Sequence, residues 1–250
     1  MAGPLEQFEI HRIGAPLEVA GLDISFNNAA AYMIAVAGLL TAFVMLGTRR
    51  QALVPGRLQS MVEMSYEFVA GMVRDNIGSH GRSFFPFVFS LFMFVLTANV
   101  MGLLPYAFTV TSHLAVTFAF AICIFFAVVL IGLVRNGLSF FSLFMPSGTP
   151  WILAPLIVAI EVFSFLVRPI TLSVRLFANM TAGHILLKVF AGFIVMLGAA
   201  GGIYTAVGVL PFAMVVALTA LEFLVAFLQA YVFAILTCIY LGDALHPGHH

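Results

Sequence analysis

Hydrophobic positions fall into long stretches without formal charge, and these stretches predict helices that cross a membrane. Residues 24–48 carry no charged side chain, and residues 83–134 form a second such stretch, which Gly102 and Pro105 divide. About 20 apolar residues in a helix are enough to cross the hydrocarbon core of a bilayer. The pattern therefore predicts one span and then a hairpin of two spans, at 26–47, 84–104 and 113–134.

The segment between the first span and this hairpin, residues 53–78, has a different pattern. Its apolar residues recur mainly at three- and four-residue steps, and charged residues interrupt them. This spacing is typical of an amphipathic helix that lies on the membrane surface. The apolar positions are Leu58, Met61, Val62, Met64, Phe68, Val69, Met72 and Val73.

The last two apolar segments, 151–197 and 203–241, are longer than a bilayer is thick. A glycine-rich run at 198–202 separates them. As continuous helices they would measure roughly 70 Å and 58 Å, against about 30 Å of hydrocarbon. Each is therefore either broken at its prolines or steeply tilted. We expect a tilted antiparallel pair that lies against a large partner.

Composition excludes a soluble domain. Only 8% of the 250 residues are charged and 63% are hydrophobic, whereas ordinary globular chains carry about 25% charged residues. The formal net charge is zero, which disfavours a nucleic-acid partner. We predict an all-α integral membrane protein with a single domain over 1–250, made of about five membrane-embedded helices and one surface helix.

The basic residues near the ends of the spans predict its orientation. Cytoplasmic loops carry an excess of lysine and arginine. The loops near 105–112 and 198–202 have none, and the first 25 residues have only Arg12. We therefore place the amino terminus in the periplasm and the carboxyl terminus in the cytoplasm of a bacterial inner membrane. The arginines on the predicted cytoplasmic side are Arg49, Arg50, Arg57, Arg74, Arg82 and Arg135.

Charged residues inside the first long segment follow a helical spacing. Glu161, Arg168 and Arg175 are each seven positions apart, and Asn179 follows four positions later. Seven steps of about 100° bring a side chain back to within about 20° of the same face. Glu161 and Arg168 are open to a plainer interpretation, as an ion pair that joins two helices near the cytoplasmic boundary. Arg175 has no acidic neighbour at three or four residues, so this interpretation is weaker there.

Two further titratable residues suggest a proton path. His184 is nine positions beyond Arg175 and points to the opposite helix face, while Glu222 and Gln229 share one face of the next helix. Arginine stays protonated and repels a migrating proton, whereas Glu and His take up and release protons. A lone buried histidine is more often a satisfied core residue, but Glu222 supplies a second titratable group. Side chains on opposite faces fit two separate half-paths, one to each side of the membrane.

The sequence of residues 169–184, PITLSVRLFANMTAGH, closely resembles the signature of the subunit a family of F-type ATP synthases. Residues 99–105, NVMGLLP, resemble the family's N-x-x-G-L-x-P segment, and Glu161 occupies the family's acidic position fourteen before the arginine. Glu222 and Gln229 match two later paired positions. Ser112 and His113 depart from the pattern, since many relatives have Ala-Asp there.

The resemblance implies a proton-translocating stator subunit without catalytic chemistry, cofactor or metal. Arg175 would face the essential carboxylate of each passing c subunit and prevent leakage between two offset half-channels. The implied partners are the c-ring, the b and b′ stalk subunits and the remaining Fo and F1 subunits. The implied half-channel residues are His184, Glu222, Asn179 and Gln229 on the periplasmic side, and Glu161 and Arg168 on the cytoplasmic side.

The residues at positions 184 and 222 also indicate a branch of the family. Some bacterial members have Glu and His at these two positions, and here His184 and Glu222 are exchanged. Together with the opening sequence of residues 4–10, PLEQFEI, this exchange suggests an alphaproteobacterial or mitochondrial-type source.

Three other functions remain to be weighed. A proton-coupled secondary transporter, the main alternative, usually has inverted repeats, and none is visible. A membrane enzyme would need a motif such as GxSxG or HExxH, which the sequence lacks. A purely structural subunit does not explain a permanent charge at Arg175. We interpret the cysteines as small apolar residues and the terminal histidines as a solvated tail: Cys123, Cys238, His246, His249 and His250.

Overall fold

The computed structural model is helical, and its described residues include five helices that are long and apolar enough to cross a membrane. This confirms the prediction of an all-α membrane protein. The opening sequence at 4–10, Pro105 and the terminal histidines lie outside the residues that the structure describes. Those described are residues 12–13, 18–19, 22–23, 25–49, 54–104, 107–145 and 152–245.

Seven α-helices follow one another along the described chain, and three 3₁₀ segments lie between them. The 3₁₀ segments are Gly78–Ser83, Val110–Ser112 and Gly137–Phe144. Two strands of two residues each, β1 (Glu18–Val19) and β2 (Leu22–Asp23), pair in antiparallel fashion before the first helix. The helices are α1 (Asn28–Thr48), α2 (Arg57–Ile77), α3 (Phe85–Gly102), α4 (Leu114–Asn136), α5 (Ala154–Ala200), α6 (Ile203–Val207) and α7 (Val209–Leu245).

Helix α5 is unbroken over 47 residues although Pro169 lies inside it. Of the two alternatives for this segment, a helix broken at its prolines and one continuous helix, the structure has the continuous helix. A proline removes one backbone hydrogen bond, which a long apolar helix tolerates when its other bonds are kept. The helix ends at Ala200 because Gly201 and Gly202 adopt positive φ angles of 67° and 60°. Only glycine adopts this conformation readily.

The chain divides into two compact units. The first contains residues 1–41, 94–113 and 176–229, and the second contains residues 42–93, 114–175 and 230–250. Buried apolar residues form the centre of each unit, but the first unit also buries several polar side chains. These are Asn99, Thr109, Thr111, Ser112, His184, Glu222 and Gln229.

Helix α2, in the second unit, buries one face. The buried positions recur at three-, four- and seven-residue intervals, as expected for an amphipathic helix. The helix also exposes large apolar side chains such as Leu58, Met61 and Met64. The buried residues are Val62, Val69, Met72, Val73 and Ile77.

Candidate functional site

His184, on α5 in the first unit, is held at both ring nitrogens. Its Nδ1 lies 2.8 Å from the carbonyl oxygen of Met180, and its Nε2 lies 2.8 Å from the carbonyl oxygen of Gly102 and 3.0 Å from Thr109 Oγ1. Carbonyl oxygens only accept hydrogen bonds, so two backbone acceptors on different helices face this ring. The contacts therefore hold the imidazole ring in a fixed orientation.

The Thr109 side chain belongs to a buried turn between α3 and α4. Residues 107–112 are all buried, although they form a connection rather than a helix of a span. The Ser112 hydroxyl donates to the Thr109 carbonyl oxygen at 2.6 Å, and the Thr181 hydroxyl of α5 donates to the Ser112 carbonyl oxygen at 3.4 Å. At Gly102 a Cβ atom would lie only 2.7 Å from the Thr109 methyl group. The turn can therefore approach α3 and α5 closely only because a glycine ends α3.

The same turn makes an acid-sensitive contact. His113, just before α4, stacks on Phe108 with 4.9 Å between ring centroids, and burial lowers its pKa from the usual value of 6.5. A lowered folded-state pKa stabilises the turn above pH 6.5 and loses that stabilisation as the pH falls through the folded pKa. We expect amide exchange of residues 107–113 to accelerate between about pH 7 and pH 5 relative to a His113→Phe variant, measured by mass spectrometry. Equal exchange profiles would contradict this prediction.

Glu222, on α7, is buried beside His184. Only 6% of the residue is exposed, and neither carboxyl oxygen has a hydrogen-bond partner among the described residues. The carboxyl group packs directly against Gly183, where a Cβ atom would overlap its Oε1. His184 interacts with it electrostatically. A buried carboxylate without hydrogen bonds is unfavourable, so this group needs water or a proton.

Three amide side chains add polar groups to the first unit: Asn99 and Gln229 are buried, and Asn179 is exposed. Asn179 Nδ2 donates to Gln229 Oε1 at 2.9 Å, and Asn99 Nδ2 donates to the Ala226 carbonyl oxygen at 3.3 Å. Gln229 Nε2 and Asn99 Oδ1 are buried and lack partners among the residues that the structure describes. Buried polar atoms of this kind usually bind ordered water. The arrangement is therefore suited to a hydrated path within this unit.

In the second unit, Arg168 is surrounded by two carboxylates and two aromatic rings. Its guanidinium lies 3.4 Å from Asp243 and 3.8 Å from Glu161. The same group lies 4.8 Å from the Tyr240 ring centroid and 5.5 Å from that of Phe165, which are cation–π distances. Glu161 and Arg168 do form the ion pair that their spacing allows, and Asp243 forms a second ion pair with the same guanidinium. With two carboxylates for one guanidinium, this cluster carries an excess of negative charge when ionised.

Arg175 differs from Arg168 because it has no internal counter-ion. Its side chain is exposed, and within the described part of the chain it makes no ion pair or hydrogen bond. The guanidinium of Arg175 interacts electrostatically with the Tyr240 phenol. A permanent charge inside an apolar helix is costly unless a partner or water receives it. The geometry therefore leaves Arg175 available to an anion from outside this chain.

Sequence reasoning missed three groups at these sites, one side chain and two backbone carbonyls. Asp243 was overlooked, although it is the acidic residue that follows Glu222 in the sequence. The carbonyl oxygens of Gly102 and Met180 leave no trace in a sequence, because every residue has a carbonyl. No group of three metal-ligating side chains occurs within the described ranges.

Comparison with known proteins identifies the family of this chain. The family model for the ATP synthase A chain matches residues 30–242. The chain belongs to this family. A protein of Chelativorans sp. strain BNC1, named ATP synthase subunit a, is 61% identical over 246 residues, covering 98% of each chain. The ATP synthase subunit a of Rhizobium meliloti strain 1021 is 58% identical over 247 residues, covering 99% of this chain and 98% of the relative.

The family match confirms the resemblance drawn from residues 169–184. The organisms of these relatives confirm the alphaproteobacterial branch indicated by His184 and Glu222. A third relative, from Allorhizobium ampelinum strain S4, carries the same name and is 58% identical over 247 residues. Membership of this family also agrees with the predicted roles in ATP synthesis and proton transport.

Proposed function

We propose that this chain is the proton-conducting stator subunit of an ATP synthase, that it has no catalytic centre of its own, and that it exchanges protons with a ring of c subunits. The exposed, uncompensated charge of Arg175 carries the proposal. A guanidinium remains protonated at any accessible pH. It can therefore attract the carboxylate of an approaching rotor subunit, favour loss of its proton and repel protons that would pass directly.

The entry path runs through the polar interior of the first unit, from the periplasmic side. Glu222 is the proton-carrying group, since its buried carboxyl oxygens have no fixed partner among the described residues. His184 lines the same path, where two carbonyl oxygens hold its ring in a fixed orientation. Asn179 and Gln229 hold water or position the rotor carboxylate.

The exit path passes the acidic cluster of the second unit toward the cytoplasm. Glu161 and Asp243 share one guanidinium, so one negative charge remains to attract a released proton. Arg168 keeps the two carboxylates together and holds α5 to the end of α7. Its stacking on Tyr240 fixes the orientation of the guanidinium.

A proton passes from the entry path to the exit path only by travelling with the rotor, so proton flow is coupled to rotation. A protonated rotor carboxyl is neutral and can move through lipid, whereas the ionised form is costly there. A membrane potential contributes about 2.3 kcal/mol per charge per 100 mV. The b and b′ subunits would hold this chain against the rotor in the inner membrane, with its amino terminus in the periplasm and its carboxyl terminus in the cytoplasm. The catalytic head then uses the rotation to form ATP.

Replacing Glu222 by Gln tests the entry path. We expect ATP-driven acidification of inverted membrane vesicles to fall by about a hundredfold, because the amide has nearly the same shape but cannot carry a proton. Glu63→Gln is the matched control. That residue is exposed on α2, where it accepts a hydrogen bond from Gln59 at 2.7 Å, and its loss should leave pumping unchanged. Normal pumping by an assembled Glu222→Gln complex would overturn the entry path.

A further inference from the structure

A second charged site lies in the second unit, away from the groups used for proton transfer. It is a cavity of about 420 Å³ between the end of α2 and the start of α3. Two arginines are the charged side chains of its lining, and no acidic side chain lines it. The lining residues are Tyr66, Ala70, Val73, Arg74, Gly78, Arg82 and Phe85.

The cavity is built by a tight reversal of the chain. Tyr66, Ala70, Val73 and Arg74 lie on one face of α2 at three- to four-residue spacing. The helix ends at Gly78, which has a φ of 74° and donates its backbone N–H to the Arg74 carbonyl oxygen. The following 3₁₀ segment, Gly78–Ser83, then brings Arg82 back to the same cavity.

Both arginines are available to a ligand. Their side chains are exposed, and neither makes an ion pair or a side-chain hydrogen bond within the described ranges. The acidic residues nearby in sequence, Glu67 and Asp75, lie outside the cavity lining. An arginine guanidinium matches the geometry of a phosphate and binds it with two parallel hydrogen bonds. Two unpaired guanidiniums at one cavity therefore favour a phosphate group.

The remaining walls are apolar and lie at the level of the membrane surface. Phe85 is the first residue of the α3 span, and its ring contacts the Tyr66 ring with 4.5 Å between centroids. Aromatic rings are enriched at the boundary between hydrocarbon and headgroups. The exposed apolar face of α2 places that helix at the same boundary. The cavity thus offers charge to a headgroup and apolar walls to its glycerol and the start of its acyl chains.

We propose that Arg74 and Arg82 bind the phosphate of an anionic phospholipid, with Tyr66 and Phe85 packing against the lipid's glycerol region. The proposal does not depend on the proton path. Free phosphate shares the headgroup chemistry but would leave the apolar walls unused. The lipid would fix the angle between the surface helix and the α3 span.

Photolabelling of the intact complex tests this site. The probe is a photoactivatable phosphatidylglycerol in vesicles of phosphatidylcholine, and labelled peptides covering residues 57–90 are quantified by mass spectrometry. We expect labelling to fall about fivefold for Arg74→Gln or Arg82→Gln, and on the order of 25-fold for both together. Arg74→Lys should keep labelling within a few-fold of wild type, which separates lost charge from misfolding.

The controls decide between the possible ligands. Arg57→Gln removes the same charge from the other end of α2, outside this cavity, and should leave labelling unchanged. An equal loss with Arg57→Gln would overturn the site in favour of general surface attraction. Equal labelling by a phosphatidylcholine probe, or full displacement by excess inorganic phosphate, would also overturn it. Loss of a stalk subunit from the purified double variant, with unchanged lipid labelling, would assign the arginines to a protein partner instead.

Discussion

Replacing Arg175 by Ala should abolish ATP-driven proton pumping while the complex still assembles. The side chain makes no ion pair or hydrogen bond within the described part of the chain, so its removal breaks no bond of the fold. What it removes is the positive charge offered to a rotor carboxylate. A charge interaction worth about 3 kcal/mol inside a membrane corresponds to a rate change of about a hundredfold or more. Quenching of a pH-sensitive dye in inverted vesicles measures this loss.

Arg135→Ala provides the matched control for this prediction. Arg135 ends α4 and lies over the Phe84 ring at 5.6 Å, so its loss removes an arginine at the membrane boundary without touching the proton path. Immunoblots for the other subunits should show equal assembly of both variants. Pumping that survives in Arg175→Ala, or fails equally in Arg135→Ala, would contradict the role assigned to Arg175.

Replacing Gly183 by Ala should disable the entry path by crowding the carboxyl group of Glu222 from the neighbouring helix α5. A methyl group at this position would overlap Oε1 of Glu222, whose carboxyl group is fully enclosed. Relieving an overlap of this kind costs about 1–3 kcal/mol, through a shifted helix or a displaced side chain. Either response moves the carboxyl group away from His184. We expect ATP-driven acidification to fall by about tenfold or more.

Two further variants make this prediction specific. Gly192→Ala adds the same methyl group on the same helix, where a Cβ atom meets nothing within 4 Å, and should leave pumping intact. Combining Gly183→Ala with Glu222→Asp shortens the acid and should restore part of the activity. If Gly192→Ala were as harmful as Gly183→Ala, the loss would reflect helix flexibility rather than contact with Glu222.

The sequence was most informative about features set by the thickness of the bilayer or by the repeat of the α-helix. Uncharged stretches of span length predicted the first three membrane helices, because the bilayer sets their length. Seven-residue spacing placed Glu161 and Arg168 on one helix face, and the structure pairs them. The same arithmetic placed His184 on the face opposite Arg175, and His184 indeed turns into the core of the first unit.

Other features could not be predicted because they depend on contacts between distant segments. Backbone carbonyls of Gly102 and Met180 hold His184, and no residue type signals such a contact. Asp243 reaches Arg168 from 75 positions away. The sequence left open whether Pro169 breaks its segment, and the structure accommodates this proline inside α5 because the rest of the helical hydrogen bonds persist. These features depend on how distant segments pack together, which the spacing of residues along one helix does not reveal.

The central claim is that the charge of Arg175 prevents protons from passing directly from one path to the other, and passive proton flux tests it most directly. The measurement uses vesicles in which the rotor has been chemically crosslinked to the stator, so that proton movement by rotation is blocked. Wild-type vesicles should then be tight to protons under an imposed potential, and Arg175→Ala vesicles should leak. Equal tightness of both would contradict the account, because the two paths would then be separated by something other than this arginine.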